Sequence, residues 1–218
     1  HDSRLSGPRI RDVAVETLAS SGSRVICCGL SSTPAMFMTT VQLDCDGAVQ
    51  ITASHHPFHR NGLKFFCREG GLDSGDILKI LTYAQEGMPH GKAPRGHVEY
   101  VDFMRQYAAD LRRMICDGVG CGEQPLKGYH IVVDAGNGAG GFYATDVLEP
   151  LGADITGSQF LDPDGRFPNH IPNPENQQAM DSACEATIKY HADLGVIFDT
   201  DVDRAGCVDR AGREINRN

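Results

Sequence analysis

The stretch from residue 128 to residue 152, GYHIVVDAGNGAGGFYATDVLEPLG, decides the fold class. It opens with the apolar, β-rich run IVVD, passes through a glycine-rich turn at residues 134–141, and ends in a predicted helix that stops at Gly152. A strand that leads through a tight turn into a helix is typical of proteins in which helices cover a sheet. The sequence therefore predicts an α/β protein.

The same alternation extends in both directions from this stretch. Residues 87–99 are rich in glycine, proline and polar groups, which predicts a linker between two domains. The RAGR segment at residues 210–213 is the predicted turn of a hairpin. The predicted helices are 8–21, 31–44, 74–87, 99–115 and 175–191, and the predicted strands are 23–30, 47–54, 62–69 and 192–198.

Composition and charge exclude several classes of protein. The 218 residues carry a formal net charge of −9, whereas a nucleic-acid binder would normally present a basic face. No apolar run reaches the roughly 18 residues that a membrane helix needs. The chain does not open with the basic segment and apolar run of a signal peptide. We therefore expect neither nucleic acid nor a membrane as a partner.

Eight cysteines are scattered along the chain without a Cys-x-x-Cys pair or a zinc-type spacing of cysteine and histidine. Several lie in apolar runs, such as RVICCGL at residues 24–30 and RRMICDG at residues 112–118. This pattern predicts buried free thiols in a reducing compartment.

An acidic loop, FDTDVDRAG, follows an apolar run near the end of the chain. Asp199, Asp201 and Asp203 alternate along it, and three carboxylates this close need a cation to offset their charges. Ligands that are all oxygen favour a hard ion, Mg²⁺ before a transition metal. Arg204 follows directly, and its planar fork suits two phosphate oxygens.

Two other metal or phosphate loops begin with similar spacing and are excluded. An EF-hand requires glycine at the sixth position and glutamate at the twelfth, where this loop has Arg204 and Arg210. A loop of the haloacid-dehalogenase type, D-x-D-x-T, is excluded because its fifth position is Asp203. A simple polar turn at the end of a strand remains as the alternative.

A second candidate site lies in ITASHHPFHRNGLKFF, residues 51–66. Ser54 follows a predicted strand, and either His55 or Lys64 can supply the base that a reactive serine needs. The G-x-S-x-G elbow of hydrolases is absent. By themselves these residues favour a serine turn beside a packed histidine. A metal cluster of the three histidines is disfavoured, because neighbouring side chains of an extended loop point in different directions.

Two further loops remain ambiguous from residues alone. The glycine turn at residues 134–141 resembles an anion-binding turn at a helix N-terminus, but it matches neither the dinucleotide nor the P-loop pattern. A tight strand-to-helix connection is the simpler prediction. The proline-rich segment at residues 162–176 is predicted to be an ordered loop near the site.

In combination, these stretches resemble one known family. The serine segment is similar to the active-site loop of the α-D-phosphohexomutases, T-A-S-H-N-P followed by N-G-x-K, and FDTDVDRAG is similar to their metal loop, D-G-D-G-D-R. HDSRLSG, GLSSTP, VVDAGNGAGG and PDGRFPNHIPNPEN match the family pattern as well. The resemblance extends from Asp2 to about Asp209. It departs at His56, where the family often has asparagine, and at Thr200 and Val202, which replace two glycines.

The resemblance implies two consecutive three-layer α/β domains with mixed sheets flanked by helices. Residues 1–90 would form the first domain, with the serine loop, and residues 91–218 the second, with the metal loop. Because the family has four domains around a cleft and both ends of this sequence look cut, the chain is expected to be a fragment that is inactive alone. The third and fourth domains are expected in the parent chain. A cytoplasmic location is expected, or a plastid if a transit peptide was lost.

The resemblance also implies a chemistry. The parent would interconvert hexose 1-phosphate and hexose 6-phosphate, of glucose or mannose, through a phosphoserine and a bisphosphorylated sugar. One Mg²⁺ per site and a hexose 1,6-bisphosphate activator are the expected cofactors. The implied roles are catalytic for Ser54, His55, Lys64 and Arg204, metal-binding for Ser54, Asp199, Asp201 and Asp203, and substrate-binding for Arg204 and Lys64, with Lys64 favoured over His55 as general acid/base.

Three alternatives stay open. The chain can be a non-catalytic fragment that binds a sugar phosphate or a partner chain, or part of a phosphatase that uses the same serine and metal. A phosphoglucosamine mutase is the third, because the loop that would discriminate between sugars is not in this sequence.

Overall fold

A computed structural model describes residues 1–87 and 93–216 of the chain. Within those ranges strands and helices alternate, as predicted. The helices are α1 (Gly7–Ser20), α2 (Thr33–Gln42), α3 (Ser74–Glu86), α4 (Phe103–Val119) and α5 (Gln177–Lys189), and a π-helical turn spans Tyr143–Leu148. The strands are β1 (Val25–Cys27), β2 (Ala48–Ile51), β3 (Leu63–Cys67), β4 (Gly70–Gly71), β5 (Val98–Tyr100), β6 (Ile131–Asp134), β7 (Leu194–Phe198), β8 (Ala205–Asp209) and β9 (Glu214–Asn216).

The strands of the described residues form three sheets. In the N-terminal half, β1 pairs in parallel with β5, and β2, β3 and β4 form an antiparallel sheet. In the C-terminal half, β6 and β7 run parallel while β7, β8 and β9 are antiparallel, so this sheet is mixed, as expected. The RAGR turn between β8 and β9 is the predicted hairpin turn.

Local capping explains where the helices nearest the site begin. Ser32 caps α2, because its hydroxyl accepts a hydrogen bond from the Ala35 amide, and a proline follows in the first turn. Asn176 caps α5 in the same way through the Ala179 amide. The N-terminus of α2 and the loop that leads into α5 are thereby fixed where they face the acidic loop.

The glycine turn at residues 134–141 packs closely against the acidic loop and against the segment at Leu161. A Cβ at Gly138 would lie 2.8 Å from the Thr200 carbonyl oxygen, and one at Gly141 would lie 2.1 Å from the Leu161 carbonyl oxygen. The Ala139 amide donates to the Thr200 carbonyl at 2.8 Å. The turn therefore supports the acidic loop directly, and a larger residue would displace Thr200 of that loop at Gly138, or the segment at Leu161 at Gly141.

Several predicted elements are corrected by the structure. The predicted linker at residues 87–99 is partly wrong, because β5 pairs with β1; residues 88–92 lie outside the described part of the chain. Helix α4 begins at Phe103 rather than residue 99, since Asp102 caps it. The predicted helix at residues 140–152 is a π-helical turn between ordinary turns, and Pro150 has no amide with which to continue a regular ladder of hydrogen bonds. The domain boundary near residue 90 stays a prediction.

The thiols are less buried than predicted. All eight cysteines are free, as expected, but only Cys27 is fully buried, and Cys121 is exposed just beyond the end of α4. The other six are partly accessible. None of the helices in the described ranges has both the length and the apolar character that a membrane crossing requires.

Candidate active site

The chain brings the serine loop and the acidic loop together from opposite halves. Ser54 follows β2, and the acidic loop follows β7. The Ser54 hydroxyl lies 3.3 Å from Asp199 Oδ2, across 145 residues of sequence. Helix α2 joins the same site through Thr33, whose amide donates to the Asp201 carbonyl at 2.8 Å and whose hydroxyl donates to Asp201 Oδ2.

The three aspartates of the acidic loop form a group that can hold a metal ion. One carboxylate oxygen from each of Asp199, Asp201 and Asp203 lies within 4.8 Å of the others. Asp199 and Asp201 are fully buried, and Asp201 Oδ1 has no hydrogen-bond partner. A buried carboxylate oxygen without a donor is costly unless a cation binds it. Together with ligands that are all oxygen, this arrangement fits a hard divalent cation.

The crowding of these carboxylates shifts their proton affinity. Burial, together with the charges of Asp201 and Asp203, raises the pKa of Asp199 well above its ordinary value. Burial alone would raise the pKa of Asp201 as well, but the Lys64 ammonium lowers it. Positive charge next to this loop is therefore needed to keep Asp199 ionised.

Two cationic side chains supply part of that charge. Lys64 Nζ lies 2.7 Å from Asp201 Oδ2 and 2.6 Å from Asp203 Oδ2. Arg204 Nη2 donates to Asp199 Oδ2 at 3.1 Å and to the Ser54 hydroxyl at 3.1 Å. Burial lowers the pKa of Lys64, but the two aspartates outweigh it and the net shift is upward, so the side chain is an ammonium at neutral pH.

The serine itself lies in a strained backbone conformation. Ser54 has φ 51°, in the left-handed region that non-glycine residues rarely occupy. Next to it, His55 Nδ1 lies 2.6 Å from Arg204 Nη2. Burial and the Arg204 charge lower the pKa of His55, which keeps the imidazole neutral at neutral pH. His55 therefore accepts a hydrogen bond from Arg204 in this arrangement.

The histidine cluster is not a metal site. His56 stacks on His55 with ring centroids 4.9 Å apart, and His59 packs edge-on against Phe58. Across the described part of the chain, the aspartate group is the only set of three or more metal-ligating side chains that meets. The carboxylate site, rather than the histidines, is the candidate metal centre.

The two ambiguous loops have separate roles. Three backbone amides of the glycine turn already donate hydrogen bonds within the protein. Gly136 donates to Asp134 Oδ1, Asn137 to the Phe160 carbonyl and Ala139 to the Thr200 carbonyl. This favours the tight connection over a phosphate contact. The proline-rich loop is ordered and does reach the site, because Glu175 lies 3.7 Å from Arg204.

Sequence reasoning assigned no role to Asp2, Arg4 and Thr33. Both Asp2 and Arg4 are fully buried beside the serine loop, and the Asp2 carboxylate accepts from the Thr52 hydroxyl at 2.7 Å. The signal was present in HDSRLSG, since an acidic and a basic residue two positions apart form a buried ion pair here at 3.1 Å. Thr33 carried no signal beyond its place next to the helix cap.

Comparison with known proteins identifies the family. A family model described as "Phosphoglucomutase/phosphomannomutase, alpha/beta/alpha domain I" matches residues 1–88, and its domain II counterpart matches residues 100–212. The chain belongs to the phosphoglucomutase/phosphomannomutase family. The predicted fold of two α/β domains, with mixed sheets flanked by helices, is thereby confirmed.

Individual relatives agree with this assignment. A phosphomannomutase from Escherichia coli is 31% identical over 211 residues, which cover 93% of this chain and 45% of that protein. A phosphomannomutase/phosphoglucomutase from Pseudomonas putida is 32% identical, over 97% of this chain and 43% of that protein. A crystal structure of a family protein from Burkholderia thailandensis matches with a TM-score of 0.83 at 28% identity, over 98% of this chain and 46% of that one. This chain therefore spans less than half the length of these phosphohexomutases.

Proposed function

We propose that the parent of this chain is a Mg²⁺-dependent mutase that moves a phosphoryl group between the 1- and 6-positions of a hexose phosphate through Ser54. The observation that carries the proposal is the 3.3 Å approach of the Ser54 hydroxyl to Asp199 in the carboxylate group. A serine nucleophile, a carboxylate metal site and a guanidinium within one hydrogen-bond network are the parts that phosphoryl transfer needs. The names of the relatives support the hexose phosphate as substrate.

Ser54, Asp199, Asp201 and Asp203 would hold the metal. When bound, Mg²⁺ supplies positive charge next to a phosphoserine, which carries about −1.5 to −2 charge. Arg204 contacts both the serine hydroxyl and Asp199, so it is placed to donate to phosphate oxygens on the serine.

Lys64 is a better candidate than His55 for transferring the proton of the sugar hydroxyl. Lys64 is charged and paired with Asp201 and Asp203, so in this arrangement it serves as a proton donor, and as a base only after transfer. His55 is neutral and bound to Arg204, which makes it the weaker candidate for acid catalysis. A hexose 1,6-bisphosphate activator, the missing third and fourth domains, and the cellular location stay part of the proposal.

Intact mass of the chain tests the proposal. The chain is incubated with glucose 1,6-bisphosphate and Mg²⁺, and Ser54→Ala is treated in parallel. We expect one added phosphoryl group in the unaltered chain, and none in Ser54→Ala or with a chelator present.

If this chain takes up no phosphoryl group, the same experiment is repeated on the complete parent protein. Phosphorylation of the parent alone would mean that the reaction needs phosphate-binding groups from the further domains. Failure of the parent as well would refute the mutase. Steady hydrolysis of the bisphosphate without mutase activity would identify a phosphatase instead.

A further inference from the structure

The guanidinium of Arg4 lies directly beneath the serine loop. The residue is fully buried, and each of its side-chain N–H groups has an acceptor. Nη2 donates to the carbonyls of Ser54 at 2.5 Å and His56 at 2.7 Å, and Nη1 donates to those of Pro57 at 2.7 Å and Arg60 at 3.1 Å. The fifth donor, Nε, pairs with Asp2 Oδ2 at 3.1 Å.

These contacts fix the backbone of Ser54 on both sides. Its carbonyl accepts from Arg4, and its amide donates to the Thr52 hydroxyl at 2.9 Å. The Thr52 hydroxyl in turn donates to Asp2, which closes the network back onto Arg4. A non-glycine residue stays in a left-handed conformation only when its surroundings determine it. This network provides that determination at Ser54, where φ is 51°.

The other half of the chain covers Arg4 from below. The Phe167 ring lies 5.4 Å from the guanidinium carbon. Gly165 packs so closely that a Cβ there would lie 2.4 Å from the Ser3 carbonyl oxygen and 2.7 Å from Arg4 Cα. Arg4 therefore lies between the serine loop and the proline-rich loop, which belongs to the C-terminal half of the chain; this packing is called the clamp below.

We propose that Arg4 is a positioning residue that holds the serine loop so that the Ser54 hydroxyl faces Asp199 and Arg204. It acts on the loop through four carbonyl groups and does not contact the hydroxyl itself. Only arginine fits, because lysine has three donors on one nitrogen and cannot span four carbonyls. The catalytic consequence rests on the proposed function; the effect on loop order does not.

Arg4→Lys tests the role, with Arg24→Lys as the matched control, because Arg24 makes an exposed ion pair with Glu99. Three quantities are measured: the rate of Ser54 phosphorylation by glucose 1,6-bisphosphate, the affinity for Mg²⁺, and amide hydrogen exchange across residues 53–57. We expect Arg4→Lys to slow phosphorylation by roughly 100-fold, as a misplaced nucleophile would. Mg²⁺ affinity should fall far less than the phosphorylation rate, since the three aspartates keep their own contacts and only the Ser54 hydroxyl is displaced. Exchange across residues 53–57 should become faster.

Chemical rescue separates positioning from general destabilisation. In Arg4→Ala, added guanidinium ion should restore part of the phosphorylation rate and slow the exchange of the loop, whereas an equal concentration of sodium should not. Wild-type rates and loop exchange in Arg4→Lys would overturn the proposal. So would a rate loss matched by an equal loss of Mg²⁺ affinity.

Two further outcomes, unfolded Arg4 variants and a chain that is not phosphorylated, also give a clear answer. If neither Arg4 variant folds, Phe167→Leu loosens the cover over Arg4 and should still speed exchange across residues 53–57; unchanged exchange would refute the clamp. If neither the unaltered chain nor the complete parent takes up a phosphoryl group, the proposed function fails, and the exchange comparison alone decides whether Arg4 holds the loop.

Discussion

At the scale of single residues, the site is defined by charge. Three aspartates and two cationic side chains meet, and Lys64 lies within 2.7 Å of two of the carboxylates. Side chains that already neutralise carboxylates in the protein also compete with any cation that binds the same oxygens. We therefore expect Lys64 to have two opposed effects: it stabilises the acidic loop, and it competes with any metal ion for the same oxygens.

Replacing Lys64 should expose this competition. We expect Lys64→Met to bind Mg²⁺ about tenfold more tightly than the unaltered chain, because one positive charge next to the site is removed. Lys79→Met is the control, since Lys79 pairs with Asp76 on the exposed surface of α3. Calorimetric titration with Mg²⁺ measures both. Unchanged or weaker binding in Lys64→Met would show that the ammonium does not compete with the ion.

At the scale of elements, the acidic loop owes its shape to packing as well as to charge. Val202 has φ 67°, which is unfavourable for a β-branched residue, yet its side chain is buried. It packs with Val133, Ala139, Ala144 and Phe198 in one hydrophobic cluster. Burial of the Val202 side chain thus offsets the backbone strain at a position where the metal loop of the family, D-G-D-G-D-R, has glycine.

This balance predicts an inverted order of stability at Val202. Val202→Ala loses apolar contacts worth about 1.5–3 kcal/mol and keeps the strain. Val202→Gly loses one more methyl equivalent but relieves about 1–2 kcal/mol of left-handed strain. We expect the glycine variant to be no less stable than the alanine variant in urea unfolding.

Val133 provides the control for this comparison. It lies in the same cluster but in strand β6, where glycine should be clearly less stable than alanine. If Val202→Gly were also the weaker of its pair, packing alone would determine the conformation of the loop.

At the scale of the whole molecule, the two halves are joined by close backbone contact. Gly165, in the proline-rich loop, would place a Cβ 2.5 Å from the Leu5 amide nitrogen. Separations under about 3 Å between such atoms force one backbone segment to move. The same loop carries Phe167 over Arg4, so a displacement here is expected to reach the serine loop.

Gly165→Ala should therefore destabilise the chain by about 1–3 kcal/mol through overpacking. Gly118→Ala is the matched control: it lies within α4 with no atom near the added Cβ, and should stabilise by about 0.5–1 kcal/mol. Thermal unfolding of both variants measures the difference. Equal effects of the two substitutions would mean that the contact between the halves yields without cost.

The sequence by itself determined the α/β class, most of the element order and the position of the acidic loop. Asp199, Asp201 and Asp203 lie on one loop, so their spacing alone predicted a carboxylate site. The apolar run before Ser54 likewise predicted that this serine follows a strand. Alternation of apolar runs gave the α/β class, because periodicity and capping act within a few residues. Strand β5 was missed because pairing with distant β1 overrides local preference, and the π-helical turn was missed because a helical pattern does not distinguish a π-helix from an α-helix.

Only the tertiary structure decided which of these residues meet. The contact of Ser54 with Asp199 joins positions 145 residues apart, and the five donors of Arg4 find acceptors up to 56 residues away. Such contacts depend on how strands and loops are stacked, which no local pattern encodes. The position of the serine follows from buried hydrogen bonds, since each buried donor and acceptor must find a partner once water is excluded.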